Sequence, residues 1–416
     1  MNKQLLIVLI LILIVLLVGG GLWWWLTQTT KTTPPPIIDP SQSFPVPPRL
    51  VVPPPTIPPT GSNTPTTTIT NSPPPNVGQP NSRLTTLSER AVAGAIIISD
   101  KVIFLERETG LIVELNLVNR EKKEIARVPL GPAAGGQINE AILISQPAKL
   151  SIWFSTGAGA EKNYFRGSLA LSSTSENFIL PEITPEPLEQ NIKTLILSPD
   201  RDRIFTLIQV GEEIIGKVLD LKTNKSRLVF ESKFNDWLAV WPEKNQIILT
   251  TKPTSQGAGA VYSLSLRNDK LERIIGGLNG LLTLTSPDGQ KILYSRSAAF
   301  GLELGLYDRQ KNTNRVLIIS TLPEKCVWSE DSLIVYCASP RILPPATYPD
   351  DWLTGEVILD DLLWEINAAT GLNRLIWSAE PGLGDAIKLQ VANQRNKFIF
   401  TDRLTNRLYL IDELIP

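Results

Sequence analysis

The feature that most constrains the fold is a short pattern that recurs at nearly constant spacing after residue 190. Each copy is an apolar run, a tight turn and a second apolar run. The four clearest turns lie at Pro199, Pro242, Pro287 and Ser329, which are 43, 45 and 42 residues apart. Proline fixes φ at the value that such a turn needs. A proline at this position therefore supports a tight turn between the two apolar runs. A period of this length indicates a repeat architecture.

Weaker copies of the pattern complete a set of seven units. Their turns lie at 99–100, 146–147 and 393–394, each before another apolar run. A third and a fourth run follow within a unit, as at 261–266 and 271–275. Four antiparallel strands in about 45 residues form the blade of a β-propeller. The sequence therefore predicts an all-β propeller of about seven four-stranded antiparallel blades, without the helical periodicity of an α-solenoid.

The last unit ends at its third strand, 408–412, and lacks a fourth. The segment 83–88 has the composition of a strand and precedes the first unit. Because an open ring would expose two strand edges, we expect this segment to supply the missing outer strand.

The Ser-Pro-Asp turn at 198–200 and the Ser-Pro-Asp-Gly turn at 286–289 resemble the repeats of the TolB carboxy-terminal domain. They are also similar to the propeller repeats of prolyl-oligopeptidase-type peptidases. The resemblance covers most of 86–416 and implies the fold, but hardly the function, because unrelated propellers share this motif. Those peptidases carry a separate hydrolase domain with a Ser-His-Asp triad, whereas this chain has no histidine.

Residues 1–30 are predicted to form a transmembrane signal-anchor. An apolar run fills 5–18, and three tryptophans follow at 23–25, where they suit a membrane–water interface. A helix over 5–26 would be about 33 Å long, which matches a bilayer. The alternative is a cleaved signal peptide, but no small-residue cleavage site follows the run. The lipid bilayer is thus an expected partner. The short lead before the run places the carboxy-terminal domain outside the cytoplasm, periplasmic or extracellular.

Residues 31–82 are predicted to be a disordered, extended linker before a propeller domain at 83–416. The stretch 34–82 holds 17 of the 34 prolines, interleaved with Thr, Ser and Asn. Such a segment has few apolar groups to bury and favours polyproline-II-like conformations. The alternative is a proline-rich ligand for a partner domain.

Composition excludes several kinds of chemistry. Without histidine, neither Ser-His-Asp nor Cys-His catalysis is available, nor any histidine-ligated zinc site. Two cysteines cannot form a thiolate cage, and no calcium-binding loop occurs. A net charge of −1 without a basic stripe argues against a nucleic-acid partner. We therefore expect no catalytic residue, no metal and no cofactor.

Cys326 and Cys337 flank the turn of the sixth unit. If the hairpin centre lies between Asp331 and Ser332, the two thiols face each other on neighbouring strands, at a separation that permits a disulfide. A disulfide would indicate an oxidising compartment. The alternative is a pair of buried free thiols.

The sixth unit contains an insertion, 339–355, between its second strand and a third strand near 359–366. Long loops on rigid scaffolds often bind partners. Aromatic stacking and carboxylates make six residues a candidate partner-binding loop: Tyr348, Asp350, Asp351, Trp352, Asp360 and Asp361. The alternative is that Trp352 and the prolines only pin the loop onto its blade.

The favoured function is a membrane-anchored, extracytoplasmic module that binds an envelope protein or glycan, or serves as its scaffold, and is not an enzyme. Two alternatives stay open. A glycan hydrolase can work with carboxylates alone, although the boxes of sialidase-like propellers are missing. A purely structural envelope component is the other. An apolar, aromatic-rimmed face would favour protein binding, whereas a convergent, water-lined cluster of Asp, Glu and Arg at the mouth of the central channel would favour the enzyme.

Overall fold

The computed structural model describes residues 84–130, 137–146, 148–157, 162–171, 180–299, 301–378, 382–392 and 397–412. The predicted anchor (1–30), the predicted linker (31–82) and Arg83 lie outside these residues. Among the residues described, no helix is both long enough and apolar enough to cross a membrane.

Strands dominate the described chain. In the first half they are β1 (Leu84–Ser88), β2 (Val92–Ile98), β3 (Lys101–Glu106), β4 (Leu111–Asn116), β5 (Lys122–Arg127), β6 (Ile138–Gln146), β7 (Lys149–Thr156), β8 (Asn163–Ala170), β9 (Glu186–Pro187), β10 (Ile192–Leu197), β11 (Arg203–Val210), β12 (Glu213–Asp220), β13 (Ser226–Ser232), β14 (Trp237–Glu243), β15 (Gln246–Thr251), β16 (Ala258–Ser265) and β17 (Leu271–Asn279).

The second half of the chain adds eleven strands and two short helices. The strands are β18 (Leu282–Thr285), β19 (Lys291–Ala298), β20 (Gly301–Asp308), β21 (Thr313–Val316), β22 (Cys326–Trp328), β23 (Ile334–Pro340), β24 (Asp361–Asn367), β25 (Asn373–Trp377), β26 (Ala386–Val391), β27 (Phe398–Asp402) and β28 (Leu408–Ile411). The 3₁₀-helix is η1 (Pro323–Lys325), and the α-helix is α1 (Asp350–Thr354).

The strands form seven antiparallel sheets of four strands each, which confirms the predicted propeller. Blades one to six are consecutive groups of four strands from β2 to β25. The seventh blade has the order β1-β28-β27-β26, so β1 is its outer strand. Leu84 pairs with Ile411 across this junction. The prediction that the first strand completes the last blade is therefore confirmed.

The Ser-x-Asp turn joins the first two strands of a blade through its side chains. In the third blade, the Ser198 hydroxyl donates to the Asp200 carboxylate at 2.5 Å and accepts the Arg203 backbone N–H at 3.0 Å. In the sixth blade, Ser329 donates to Asp331 at 2.7 Å. These bonds satisfy backbone groups that the tight turn leaves without a ladder partner. The motif therefore recurs because each hairpin needs the same capping.

First strands of neighbouring blades contact one another and line the centre of the propeller. Apolar clusters fill the spaces between blades: one joins blades one and two, and another joins blades six and seven. Strand direction alternates within a blade. The connections between blades therefore lie at the same end as the loops that join second and third strands. We call this end the upper face.

The predicted register of the cysteine hairpin is confirmed. Cys326 pairs directly with Cys337, and Val327 with Tyr336. The two Sγ atoms are 2.10 Å apart and the Cα atoms 4.1 Å apart. Both side chains are buried between the fifth and sixth blades.

Candidate functional site

The sixth-blade insertion (341–360) runs between β23 and β24 on the upper face and carries α1. Its third strand begins at Asp361, two residues later than the predicted start near Leu359. Pro349 precedes the helix, and Gly355 ends it with a φ of +87°. Glycine adopts this left-handed conformation without the steric cost that a side chain brings.

Two aromatic side chains fix the insertion to the propeller. Tyr348 is 1% exposed and Trp352 is 2% exposed. They pack in one cluster with Leu282 and Leu302 of the fifth blade and with Leu322 before the sixth. Burial of large aromatic rings contributes strongly to stability. These rings therefore act as anchors within the protein and present no stacking surface to solvent.

Hydrogen bonds extend the insertion over three other blades. The Asp350 carboxylate accepts the Ser255 N–H of the fourth blade at 2.6 Å. Ser297 of the fifth blade donates to the Tyr348 carbonyl at 2.5 Å. Arg403 of the seventh blade donates to the Leu353 carbonyl at 3.1 Å. A loop that leaves the sixth blade is thus tied to the fourth, fifth and seventh.

Burial by itself would raise the pKa of the Asp350 carboxyl. Hydrogen bonds from Ser255 and Thr254 outweigh it and hold that pKa below its ordinary value. The carboxylate form is therefore the one that binds the fourth blade.

Gly280, which precedes the fifth blade, makes room for the insertion. Its φ is +65°, and a Cβ there would come within 2.9 Å of the Pro349 ring and 2.2 Å of the Ser297 hydroxyl. Any larger residue would push the insertion away from the fifth blade. The sequence motif gives no sign of this requirement, because it depends on residues 69 positions apart.

A buried group of charges lies beneath α1. The Lys325 ammonium is 2.7 Å from the Asp361 carboxylate and also binds Asp385, and all three side chains are fully buried. The Trp352 indole N–H donates to Asp385 at 2.9 Å. The Arg403 guanidinium lies 4.4 Å from the centre of the Trp352 ring and 4.0 Å from Asp385. We call Lys325, Asp361 and Asp385 the buried triad.

The buried triad joins three chain segments that are distant in sequence. Lys325 precedes β22, Asp361 begins β24 and Asp385 precedes β26. The Ala386 N–H donates to Asp361 at 2.9 Å, which adds a direct link from the sixth blade to the seventh. One ammonium therefore holds together the end of the insertion and the start of the next blade.

Burial, helped by the neighbouring Asp385 carboxylate and opposed by the attraction of Lys325, raises the pKa of Asp361 to about 6. The Asp361 Oδ1 atom has no hydrogen-bond partner, which agrees with a carboxylate that is costly to ionise. Next to the triad, Glu324 keeps an exposed side chain. Protein nevertheless surrounds it closely enough that burial raises its pKa as well.

The six predicted loop residues fall into two groups. Tyr348, Trp352 and Asp361 are buried, which supports the alternative that they pin the loop. The other three carboxylates lie nearer the surface: Asp350 binds Ser255, Asp351 accepts the Thr347 N–H at 2.7 Å, and Asp360 accepts the Gly382 N–H at 3.3 Å. Partner binding by this loop stays a prediction, and its aromatic members would not make the contact.

Sequence reasoning missed Lys325, Asp385 and Arg403. No motif surrounds them, and Lys325 and Asp385 are 60 positions apart. It also missed the aliphatic side chains that the insertion exposes, Ile342, Leu353 and Ile358. Within the described ranges, no group of three or more acidic or cysteine side chains could hold a metal ion.

Replacing the cation of the triad should destabilise the protein severely. Lys325→Met keeps most of the side-chain volume but leaves two buried carboxylates without their shared counter-ion, which costs about 3–5 kcal/mol. Urea unfolding of the full chain at pH 7.5 measures the loss. Lys252→Met, at an exposed lysine of the upper face, is the control and should change the midpoint little. Equal midpoints for the two variants would contradict the role given to Lys325.

Stability should fall as pH rises through the range in which Asp361 ionises. The folded-state pKa of about 6 lies above the ordinary value of 3.8, so the folded protein binds the proton more tightly than the unfolded chain. The resulting stability is complete below about pH 4 and is lost by about pH 7, a change of up to about 3 kcal/mol. Asp361→Asn should remove most of this decrease in urea unfolding. The variant Glu324→Gln measures how much of the decrease in stability comes from Glu324. A wild-type curve that rises across this range would contradict the assignment.

Comparisons with known proteins agree with the geometry. No protein-family model matches the sequence, and no curated protein matches it. Among solved structures, an oligogalacturonate lyase in complex with manganese superposes with a TM-score of 0.52 at 10% identity, over 81% of this chain and 94% of that one. The oligogalacturonate lyase of Vibrio parahaemolyticus gives 0.52 at 9% identity, over 80% and 94%.

TolB from Acinetobacter baumannii also matches, with a TM-score of 0.40 at 10% identity, over 77% of this chain and 79% of that one. A propeller domain from a Pyrococcus furiosus protease gives 0.47 at 13% identity, over 78% and 94%. Identities this low show the fold alone. The lyase superpositions confirm the expected fold at that level: the chain carries a β-propeller.

Proposed function

We propose that this chain is a membrane-anchored, extracytoplasmic binding module whose partner in the cell envelope is a protein that contacts the sixth-blade insertion. The anchor and the linker enter the proposal from the sequence, through the apolar run at 5–18 and the proline-rich stretch 34–82. The proposed binding surface is based on the structure of the upper face.

The observation that carries the proposal is the pairing of a fixed loop with exposed aliphatic side chains. Ile342 is 82% exposed, Ile358 46% and Leu353 37%, all on the insertion. The same loop is held by Trp352, Tyr348 and contacts to three other blades. A loop held in place loses little conformational entropy on binding, and exposed apolar side chains gain free energy when a partner removes them from water.

These side chains favour a protein over a glycan. Sugar rings are commonly bound by exposed aromatic faces and unpaired polar groups, but here the aromatic rings of the insertion are buried. Asp350 and Asp351 already accept backbone N–H groups. Polar side chains such as Glu356 are exposed on the same loop, but Ile342, Leu353 and Ile358 add aliphatic surface, which contributes to protein interfaces through burial.

We also propose that the module is not an enzyme. Asp361 and Asp385 lie close together, as an acid–base pair would, but both are fully buried and bind Lys325. A substrate has no access to them without displacing the insertion. The lyases among the structural matches share the fold at 9–10% identity, which does not transfer an activity.

Site-specific cross-linking tests the binding surface. A photo-reactive amino acid at Ile342 of the full chain should capture a protein partner in intact cells, whereas one at Val118 should not. Val118 is 72% exposed and lies in the turn between β4 and β5, at the opposite end of the blades. The double variant Ile342→Glu, Ile358→Glu should reduce co-purification of that partner about tenfold or more, since charged groups oppose burial in an interface.

The control variant for co-purification is Val118→Glu, with thermal melting recorded for each protein. Exposed positions should leave the melting temperature nearly unchanged. Equal capture by the double variant and by Val118→Glu would place the interface elsewhere. Cross-linking to a polysaccharide at Ile342 would contradict the proposed protein partner and indicate a glycan instead.

We propose further that Cys326 and Cys337 form a disulfide, in keeping with a domain outside the cytoplasm. Their direct pairing and the 2.10 Å between their sulfur atoms support the bond. In cells lysed into denaturant with an alkylating reagent, neither cysteine should be labelled until a reductant is added, and mass spectrometry measures the difference. Labelling of both thiols without reductant would contradict the bond and weaken the assigned compartment.

A further inference from the structure

A cleft opens between the second and third blades, on the part of the upper face that the described insertion contacts do not reach. Its volume is about 170 Å³. The second blade contributes residues of β6, β7 and β8, and the third contributes Lys193, Thr194 and Leu195 of β10. For comparison, a cavity of about 150 Å³ accommodates benzene. The cleft therefore has the size for a small molecule.

The strand register builds one wall of the cleft as a polar row above an apolar one. Glu140 pairs with Ser155, and Ser155 with Tyr164, so these three side chains stand side by side on neighbouring strands. In the next row, Ile142 pairs with Trp153. Trp153 packs against the first strand of the third blade and forms the floor. Each polar side chain is thus held by a rigid strand.

Two polar groups in this wall are buried and unsatisfied. The Ser155 hydroxyl and the Trp153 indole N–H have no hydrogen-bond partner, although their residues are only 1% and 6% exposed. A buried donor without an acceptor costs about 1–3 kcal/mol. The fold carries this cost at two neighbouring positions just behind the cleft surface, and a ligand acceptor that side-chain rotation brings into contact with them would remove it.

The charged groups of the cleft determine which sign of charge a ligand should carry. Lys162 and Lys193 line it together with one carboxylate, Glu140, whose nearest oxygen is 3.7 Å from Lys162. Among the described residues that line the cleft, two ammonium groups against one carboxylate leave a surplus of one positive charge. Glu140, which is more than half exposed, can still accept a hydrogen bond from a ligand hydroxyl.

Burial, together with the smaller effect of the Glu140 charge, raises the pKa of the Tyr164 hydroxyl to about 12. Tyr164 therefore stays protonated at physiological pH and can donate a hydrogen bond in the same row as Ser155. Within the described part of the lining, hydrogen-bond donors therefore outnumber acceptors.

We propose that this cleft binds a small hydroxylated carboxylic acid. Its carboxylate accepts hydrogen bonds from Lys193, Ser155 and the Trp153 indole, and one of its hydroxyl groups donates to Glu140. The site is separate from the protein-binding surface of the insertion and does not depend on it.

Calorimetric titration of the purified full chain tests the site with three matched probes. Glycerate carries a carboxylate and two hydroxyls, propionate lacks the hydroxyls, and glycerol lacks the carboxylate. Glycerate should bind saturably, propionate more weakly and glycerol not detectably. Lys193→Gln should weaken glycerate binding about tenfold, because it removes a charge-assisted hydrogen bond. Lys233→Gln, at an exposed lysine after β13, is the matched control and should bind as the wild type does.

Ser155→Ala separates a binding role from a packing role. It removes an unsatisfied hydroxyl, so the melting temperature of the free protein should stay the same or rise while glycerate affinity falls. A lower melting temperature with unchanged affinity would overturn the assignment. So would equal binding of glycerol and glycerate, or equal affinity of the two lysine variants. Tighter binding of the peptide acetyl-Gly-Asp-Gly-amide than of glycerate would replace the small acid with an acidic segment of a protein.

Discussion

The arrangement of the upper face depends on the Lys325 ammonium, which is buried between the carboxylates of Asp361 and Asp385. An isolated buried charge is unstable, so each of the three residues needs the other two in place. Asp361 begins β24 directly after the insertion, and Asp385 precedes the seventh blade. The triad therefore fixes where the insertion lies, and Trp352 covers the triad while donating to Asp385. Packing and electrostatics oppose the same displacement, because moving α1 would expose the ring and hydrate the charges.

The triad also lies beside the blade that closes the ring. The seventh blade is assembled from both ends of the domain, since β1 is added to β28. Its first strand, β26, is linked to the sixth blade through the Ala386 N–H and the Asp361 carboxylate. A composite blade depends on contacts between distant parts of the chain, whose loop-closure entropy opposes folding. The ionic link lies at the other side of this blade, between segments 25 positions apart, and holds β26 against the sixth blade.

The sequence predicted the fold well and the site only in part, for a physical reason. Strand pairing, turn capping and the register of Cys326 with Cys337 are set by residues within about ten positions, so local patterns reveal them. The burial of Trp352 is set instead by Leu282 and Leu302, which belong to another blade. A tryptophan in a long polar loop looks exposed when only its own segment is considered. Lys325 and Asp385 likewise come into contact only when the blades of the propeller are packed together, and neither lies in a recognisable motif.

The path of the insertion accounts for the difference between two sectors of the upper face. Its contacts reach Ser255, Ser297 and Arg403, in the fourth, fifth and seventh blades. The cleft beside Trp153 lies between the second and third blades, where none of these contacts is made. A loop tied to all blades would cover both sectors and close the cleft. Because the insertion stops short, one face can present an aliphatic surface on one side and an open, positively charged cleft on the other. Two ligands of different chemistry could then bind to one rigid ring without competing for the same residues.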